Sequence, residues 1–152
     1  MVPSQLGQYF EDFVVGDVVL HQLSKTVFES DNNIFSLLTM NHHPIHTNAE
    51  FARASEAGKI IVVGTYVFSL VVGISVPDIS GKAIVNIGYQ NIEHIKPVFI
   101  NDTIYARSRI LETKQSISKP DRGVVVVETI GFNQFEVDVL SLTRKVLVPK
   151  KK

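Results

Sequence analysis

The chain has 152 residues, of which 45% are hydrophobic and 20% charged, and this indicates one globular domain, residues 1–152, around one hydrophobic core. Fifteen basic residues balance fifteen acidic ones, so no net charge is available to attract nucleic acid or an anionic membrane surface. The absence of cysteine excludes disulfides and thiol chemistry.

The first residues predict a cytoplasmic protein whose fold opens with a strand. The segment MVPSQLGQYF lacks the basic region and apolar core of a secretory signal. Residues 16–30, GDVVLHQLSKTVFES, predict the opening strand.

Two short helices are predicted next, with an irregular segment between them. Ser30 or Asp31 is expected to cap the first helix, which must end before Pro44 because proline disfavours helical geometry at the residue preceding it. One face of this helix carries three apolar residues, Ile34, Leu37 and Leu38. Thr47 or Asn48 begins the second helix, AEFARASEA, which Gly58 can end in left-handed geometry. The segment NHHPIH between the helices is a place where side chains can be aimed at a ligand.

A long apolar helix is predicted over VVGTYVFSLVVGISV, residues 62–76. Its bulky residues fall at helical spacing, but it is apolar nearly all round, so other structure is expected to wrap it. The longest apolar run, residues 60–76, contains small and polar residues and is shorter than the roughly 20 residues that a bilayer crossing needs. We therefore expect no membrane partner.

The second half of the chain has the pattern of an antiparallel sheet. Four runs rich in β-branched residues follow one another, KAIVNIGYQNIEHIKPVFI, DTIYARSRILET, GVVVVETIGFN and FEVDVLSLTRKVLV. With the opening strand they make a sheet of about five strands, so the fold class is α+β. Both strand faces are apolar in residues 124–127, which predicts that a second subunit covers part of the face opposite the helix.

Three blocks of the sequence together carry a family resemblance, TMNHHPIHTNAEFA, KIIVVGTYVFSLVVG and GKAIVNIGYQNIEHIKPVFINDTIYA. They resemble the MaoC-like (R)-specific enoyl-CoA hydratases, which have the hot-dog fold. The resemblance covers most of the chain and implies an antiparallel sheet wrapped around a central apolar helix. It also implies a homodimeric hydro-lyase that acts on a CoA thioester without a cofactor, with mesaconyl-CoA and itaconyl-CoA hydratases as a similar branch. Asn101 stands where the family has Gly before an acid, and Asn, like Gly, enters left-handed geometry.

The first block departs from the family motif at two positions. Pro44 and His46 match, but Asn41 occupies the aspartate position and His43 the asparagine position. In the family an Asp and a His share the proton transfers around one water, and backbone N–H groups at the start of the central helix hold the developing oxyanion. An amide cannot act as a base, although it can position water by hydrogen bonding.

The resemblance therefore implies catalytic roles for His46, as proton carrier, and for Asn41, which positions the water. An imidazole exchanges protons near neutral pH, as this chemistry requires. Gly64, Val63, Thr65 and His43 are the expected substrate-binding residues, because they lie at the start of the central helix or within the motif.

A metal site is the rival interpretation of the histidine cluster. His42 and His46 have the spacing of zinc ligands on a helix, but Pro44 between them argues against a continuous helix. With no cysteine available and no acid inside the motif, we expect no metal.

Two further functions remain open at this point. One is a non-catalytic acyl-thioester-binding protein or partner subunit, which the loss of the aspartate favours. The other is a hot-dog thioesterase, which needs a carboxylate to activate water. Glu50 and Glu56 in the second short helix are the available candidates.

Overall fold

A twisted antiparallel sheet and one apolar helix form the framework of this computed structural model, which describes residues 6–152. Residues 1–5, on which the expected lack of a secretory signal partly rests, lie outside the described residues. The strands are β1 (Val18–Leu20), β2 (Lys25–Thr26), β3 (Val85–His94), β4 (Thr103–Gln115), β5 (Arg122–Phe132) and β6 (Asp138–Pro149). The helices are α1 (Glu29–Leu38), α2 (Pro44–Thr47), α3 (Ala49–Arg53) and α4 (Gly64–Ser75), and a π-helical turn, Val76–Ser80, follows α4.

The strand order is β1-β4-β5-β6-β3, with β2 paired to β4 beside this path. All pairings are antiparallel. The α+β class and the antiparallel sheet with a central helix are thus confirmed. The sheet has six strands where about five were predicted, because the opening segment divides into β1 and β2, which pair with different parts of β4.

Helix α4 lies against one face of the sheet and supplies much of the core. Its residues Val67, Val71 and Ile74 are buried against sheet residues that include Ile104 and Leu142. A Cβ built on Gly131 of β5 would lie 2.4 Å from Cγ2 of Val71, so only glycine lets α4 approach the sheet this closely. Within residues 6–152, no helix combines the length and apolarity that a bilayer crossing requires.

A second cluster fills the same face beyond the C-terminal end of α4. Phe13 and Ile79 are buried there against residues of β5 and β6, including Val125 and Val127. Along β5 fully buried residues alternate with half-buried ones, so Val124 and Val126, on the opposite face, keep partial exposure.

The short helices differ in part from the sequence pattern. Helix α1 begins after Phe28, whose N–H donates to the Asp31 carboxylate over 2.9 Å, so the prediction of Ser30 or Asp31 as N-cap is wrong. Its apolar face is exposed, and it buries Asn32 and Ser36 instead. The cap at Asn48 is confirmed, because its Oδ1 accepts the N–H of Phe51 over 3.0 Å.

Helix α3 ends at Arg53, so the prediction that the second helix extends through AEFARASEA to Gly58 is wrong, although left-handed backbone occurs at both positions where the sequence predicts it. Gly58 has φ of 68° and Asn101 has φ of 73°. The Asn101 turn delivers the chain into β4, and the Asp102 carboxylate closes it by accepting the N–H of Phe99 over 2.8 Å.

Buried polar side chains anchor the C-terminal end of α4 and the π-helical turn to the sheet. The His21 ring bonds to the Asp78 carboxylate through Nδ1 and to the Ser108 hydroxyl through Nε2, both over 2.7 Å. Arg144, 2% exposed, donates to the Ser75 hydroxyl over 2.9 Å. The guanidinium lies at the C-terminal end of α4, where the helix dipole favours positive charge. These contacts fix the axial position of α4 and therefore where its N-terminus lies.

Burial lowers the pKa of His21 below its ordinary value of 6.5, and the nearby Arg144 adds to this, while Asp78 opposes it. The native protein therefore holds a neutral ring where the unfolded chain takes up a proton. As the pH falls below about 6.5 the unfolded state gains protons that the native state does not, so stability decreases.

We expect the urea midpoint to fall between pH 7.5 and pH 5.5, and to fall less in His21→Gln. The exposed His42→Gln is the matched control and should retain the wild-type pH dependence; an equal pH dependence in His21→Gln would contradict this assignment.

Candidate active site

His46 lies on α2, the single helical turn inside the segment predicted to be irregular. Pro44 begins this turn, as its fixed φ and missing N–H allow. His43 caps it, with Nδ1 accepting the N–H of Ile45 over 3.2 Å. Residues 41–43 before the turn are irregular. The prediction of an irregular segment over NHHPIH is therefore correct for its first half and wrong for its second half.

The ring of His46 is held in one tautomer. Its Nδ1 lies 2.6 Å from the carbonyl oxygen of Ile61. Because a carbonyl oxygen only accepts, Nδ1 must carry the proton, and Nε2 of the neutral ring keeps its lone pair. His46 is half-buried. A ring oriented by a backbone carbonyl, with one basic nitrogen free, is the arrangement of a general base.

Asn32 of α1, which the sequence analysis missed, ties the His46 turn to the start of α4. Its Nδ2 donates to the carbonyl of His46, and its Oδ1 accepts the N–H of Val63, both over 2.9 Å. The side chain is 2% exposed, so the two bonds form away from water. No local sequence signal identifies Asn32, because its partners are 14 and 31 residues away.

The first turn of α4 presents backbone donors. Val63 N–H is taken by Asn32, and the N–H groups of Tyr66 and Val67 bond to the Val63 carbonyl. Among the described residues, Gly64 N–H and Thr65 N–H have no acceptor. A helix N-terminus with free N–H groups favours negative charge, so this turn can hold an oxyanion.

A cavity of about 280 Å³ joins His46 to the start of α4, near the lower end of the range for ligand pockets. Its lining is mainly apolar and consists of His46, Ile61, Val62, Gly64, Val67, His94, Ile95, Lys96, Pro97 and Val98. His94, at the end of β3, was also missed by the sequence analysis. A Cβ built on Gly64 would lie 2.7 Å from Cε1 of His94, so the ring packs directly on the glycine. Gly64 is thus needed for this close approach.

The other predicted site residues lie at different depths. Asn41 is outside the cavity lining, and its Oδ1 lies 3.4 Å from the N–H of His43, two residues along the chain. His43 is exposed, with its ring edge-on to that of His46 at 6.1 Å between centroids. Val63 is fully buried, and Thr65 is exposed. The structure therefore brings His46 and Gly64 together in one cavity, and Thr65 is not among the residues that line it.

Within residues 6–152, no group of three or more His, Cys, Asp or Glu side chains is placed to hold a metal ion. His42 is exposed on the loop before α2. The cavity therefore offers imidazole and backbone N–H groups as its polar chemistry, together with the Lys96 ammonium.

Residues 12–131 match the model of the MaoC like domain. The chain belongs to this MaoC-like family. A mesaconyl-CoA hydratase from Cereibacter sphaeroides is 37% identical over 145 residues, which are 95% of this chain and 42% of that protein. A beta-methylmalyl-CoA dehydratase from Chloroflexus aurantiacus is 31% identical over 95% of this chain and 41% of its own length. The MaoC-like chain thus spans about two fifths of these relatives.

A solved structure of a Mycobacterium tuberculosis protein, described as a double hot-dog fold, superposes with a TM-score of 0.88. The match covers 95% of this chain and 45% of that protein at 17% identity, so it bears on the fold alone. The predicted hot-dog fold is confirmed.

We expect Asn32→Asp to disturb this site while keeping the side-chain shape. The carboxylate can still accept the Val63 N–H, but it places an oxygen against the His46 carbonyl and leaves that buried carbonyl unpaired, which costs about 1–3 kcal/mol. The urea midpoint should fall. The enzymatic activity should also fall, even when it is measured without urea under conditions in which the variant is fully folded. Asn33→Asp, exposed on the same helix, is the matched control. Wild-type stability in Asn32→Asp would show that the bridge is unimportant.

Proposed function

We propose that this MaoC-like chain, acting as one domain over residues 1–152, hydrates a 2-enoyl-CoA to a 3-hydroxyacyl-CoA or catalyses the reverse dehydration. The observation that carries the proposal is His46, with its tautomer fixed by Ile61 O, in a cavity that also contains the first turn of α4. The relatives named mesaconyl-CoA hydratase and beta-methylmalyl-CoA dehydratase support the same reaction class. Neither direction of this reaction requires a cofactor.

The reaction follows from the positions of these groups. His46 Nε2 takes a proton from water as the water oxygen bonds to C3 of the enoyl group. The electron pair of the double bond moves toward the thioester, and negative charge develops on its oxygen. The free N–H groups of Gly64 and Thr65, at the positive end of α4, stabilise that charge. Protonation at C2 completes the hydration.

The thioesterase alternative lacks its required base in this cavity. Glu50 is exposed and paired with Arg53 over 2.9 Å, and Glu56 is exposed in the turn after α3. Among the described residues, none that lines the cavity carries a carboxylate. Loss of enoyl absorbance without release of free CoA thiol would distinguish hydration from thioester hydrolysis and from simple binding.

We propose a short acyl group for the substrate, since the cavity measures only about 280 Å³. A panel of crotonyl-CoA, mesaconyl-CoA, itaconyl-CoA and a longer enoyl-CoA tests this.

We also propose a cytoplasmic location, because a chain without cysteine needs no oxidising compartment.

We expect His46→Ala to lower kcat/KM by at least ~10²-fold with little loss of stability, the size of a general acid–base contribution. Asn41→Ala should cost less, because it removes a positioning hydrogen bond. Asn41→Asp restores the family's carboxylate and should raise crotonyl-CoA hydration, whereas a substrate with its own carboxylate should be repelled. The exposed His42→Ala is the control and should be silent. An unchanged rate in His46→Ala on every active substrate would overturn the site and favour the binding-protein alternative.

A homodimer formed through the β3 edge is part of the proposal. Strand β3 pairs with β6 on one side only, and its ten residues are almost all exposed. Apolar side chains on and beside this edge, among them Val85, Ile87 and Ile92, are 44–51% exposed. A long apolar edge favours strand addition, and a second copy offers the same edge in antiparallel orientation. The cavity, which includes His94 at the end of β3, would then lie near the subunit boundary.

We expect light scattering at micromolar concentration to give twice the chain mass of 16.9 kDa. Ile87→Lys, which places a charge on the edge strand, should shift the protein toward the monomer. Ile117→Lys, at a residue 96% exposed in the β4–β5 turn, is the matched control and should stay dimeric. A wild-type monomer would contradict the proposed assembly.

A further inference from the structure

The proposed hydration needs two proton transfers, one from water and one to C2, and His46 accounts for the first. The family's second group is an aspartate, which is Asn41 in this chain. Asn41 cannot carry a proton in this way, and its side chain is directed to the His43 backbone. Either His46 performs both transfers, or another group of the cavity supplies the second.

We infer that His94 is the second proton-transfer residue of this site, an inference that rests on the proposed hydration. Its ring lies on Gly64, whose N–H is one of the two free donors at the start of α4. It lines the same cavity as His46. An imidazole in contact with the residue that holds the thioester oxygen is close to C2, one carbon away from the carbonyl.

Among the titratable residues of the cavity lining, His94 is the one whose ring packs on Gly64. His46 and Lys96 are the other titratable residues of the cavity lining. Glu93 precedes His94 on β3, and consecutive pairing with Ser141 and Leu140 directs the two side chains to opposite faces. Lys96 is exposed, and a lysine side chain, a compact and flexible donor, suits anion binding. His94 has no hydrogen-bond partner among the described side chains, so its ring nitrogens are available to a substrate and to water.

The reaction balances when His46 starts neutral and His94 starts as imidazolium. His46 Nε2 accepts a water proton while the water oxygen bonds to C3, and the double-bond electrons form an enolate. The His94 N–H proton then bonds to C2 through the enolate electron pair, and the thioester carbonyl re-forms. His46 ends as imidazolium and His94 ends neutral. A proton passed through solvent restores the starting state, and the exposure of His94 permits this exchange.

The test compares His94→Gln and His94→Ala with wild type in crotonyl-CoA hydration across about pH 5 to 9. Both variants should lose at least ~10²-fold in kcat/KM. Because the proposed step needs a protonated His94, the wild-type rate should fall as the pH rises. This fall at alkaline pH should be absent in His94→Gln. Added imidazole should restore part of the His94→Ala rate. Glu93→Gln, on the same strand and facing away, is the matched control and should keep the wild-type rate and pH profile.

Three results would overturn the inference, and they separate it from the proposed function. A wild-type rate in both His94 variants, with His46→Ala inactive, removes only the role of His94. A lowered rate with the wild-type pH profile and no response to imidazole shows that the ring merely packs on Gly64. Wild type inactive on every enoyl-CoA removes the proposed function and this role together.

A measurement on the unsubstituted protein does not depend on how the variants fold. Saturated butyryl-CoA should shift the ring nitrogen resonances of His46 and His94, but not those of His42. Unshifted His94 resonances in the presence of bound butyryl-CoA would also overturn the inference.

Discussion

The Asn32 amide is the interaction on which the site depends. Three separate segments, α1, the His46 turn and the start of α4, meet at this one buried side chain. Its donor and acceptor are both used, and each bonds a backbone group rather than a mobile side chain. A buried amide that loses either partner leaves an unpaired polar group, which costs more than the bond itself contributes. The relative position of His46 and the α4 N–H groups is therefore fixed by desolvation as well as by geometry.

The features that could be predicted from the sequence are those with local causes. Helical spacing identified α4, the amide of Asn48 capped α3, and Asn101 adopted left-handed backbone as expected. His46 of the motif around Pro44 lines a cavity together with Gly64, the other predicted site residue found there. Asn32 and His94 were missed because their partners are distant in sequence and neither residue type is unusual in a helix or a strand. The apolar face of α1 that the sequence identified is exposed. Helical spacing identifies which residues share a face, but it does not show whether another element covers that face.

Three aspartates that hold the sheet and its turns lie outside the cavity. Asp78 binds His21, Asp102 closes the turn before β4, and Asp138 pairs with Arg107 over 2.9 Å. These acids hold the sheet and its turns, while the titratable side chains among the described residues that line the mainly apolar cavity are two imidazoles and a lysine. In the proposed reaction, negative charge that develops in the cavity would meet helix N–H groups, and no described residue of the cavity lining carries a carboxylate to oppose it. The replacement of the family's aspartate by Asn41 is consistent with such a site.

The order of strands in the sheet also affects how the chain folds. Strands β4, β5 and β6 are joined in sequence as a meander, so their pairing closes only short loops. Strand β3 joins the far edge through β6, after the chain has passed through the whole meander. Such long-range pairing is formed late in folding and opens early in local fluctuations. His94 lies at the end of that strand, so the cavity is completed by the edge of the sheet, and the backbone amides of this edge should exchange with solvent sooner than those of β5 in a monomer and become protected where two β3 edges pair.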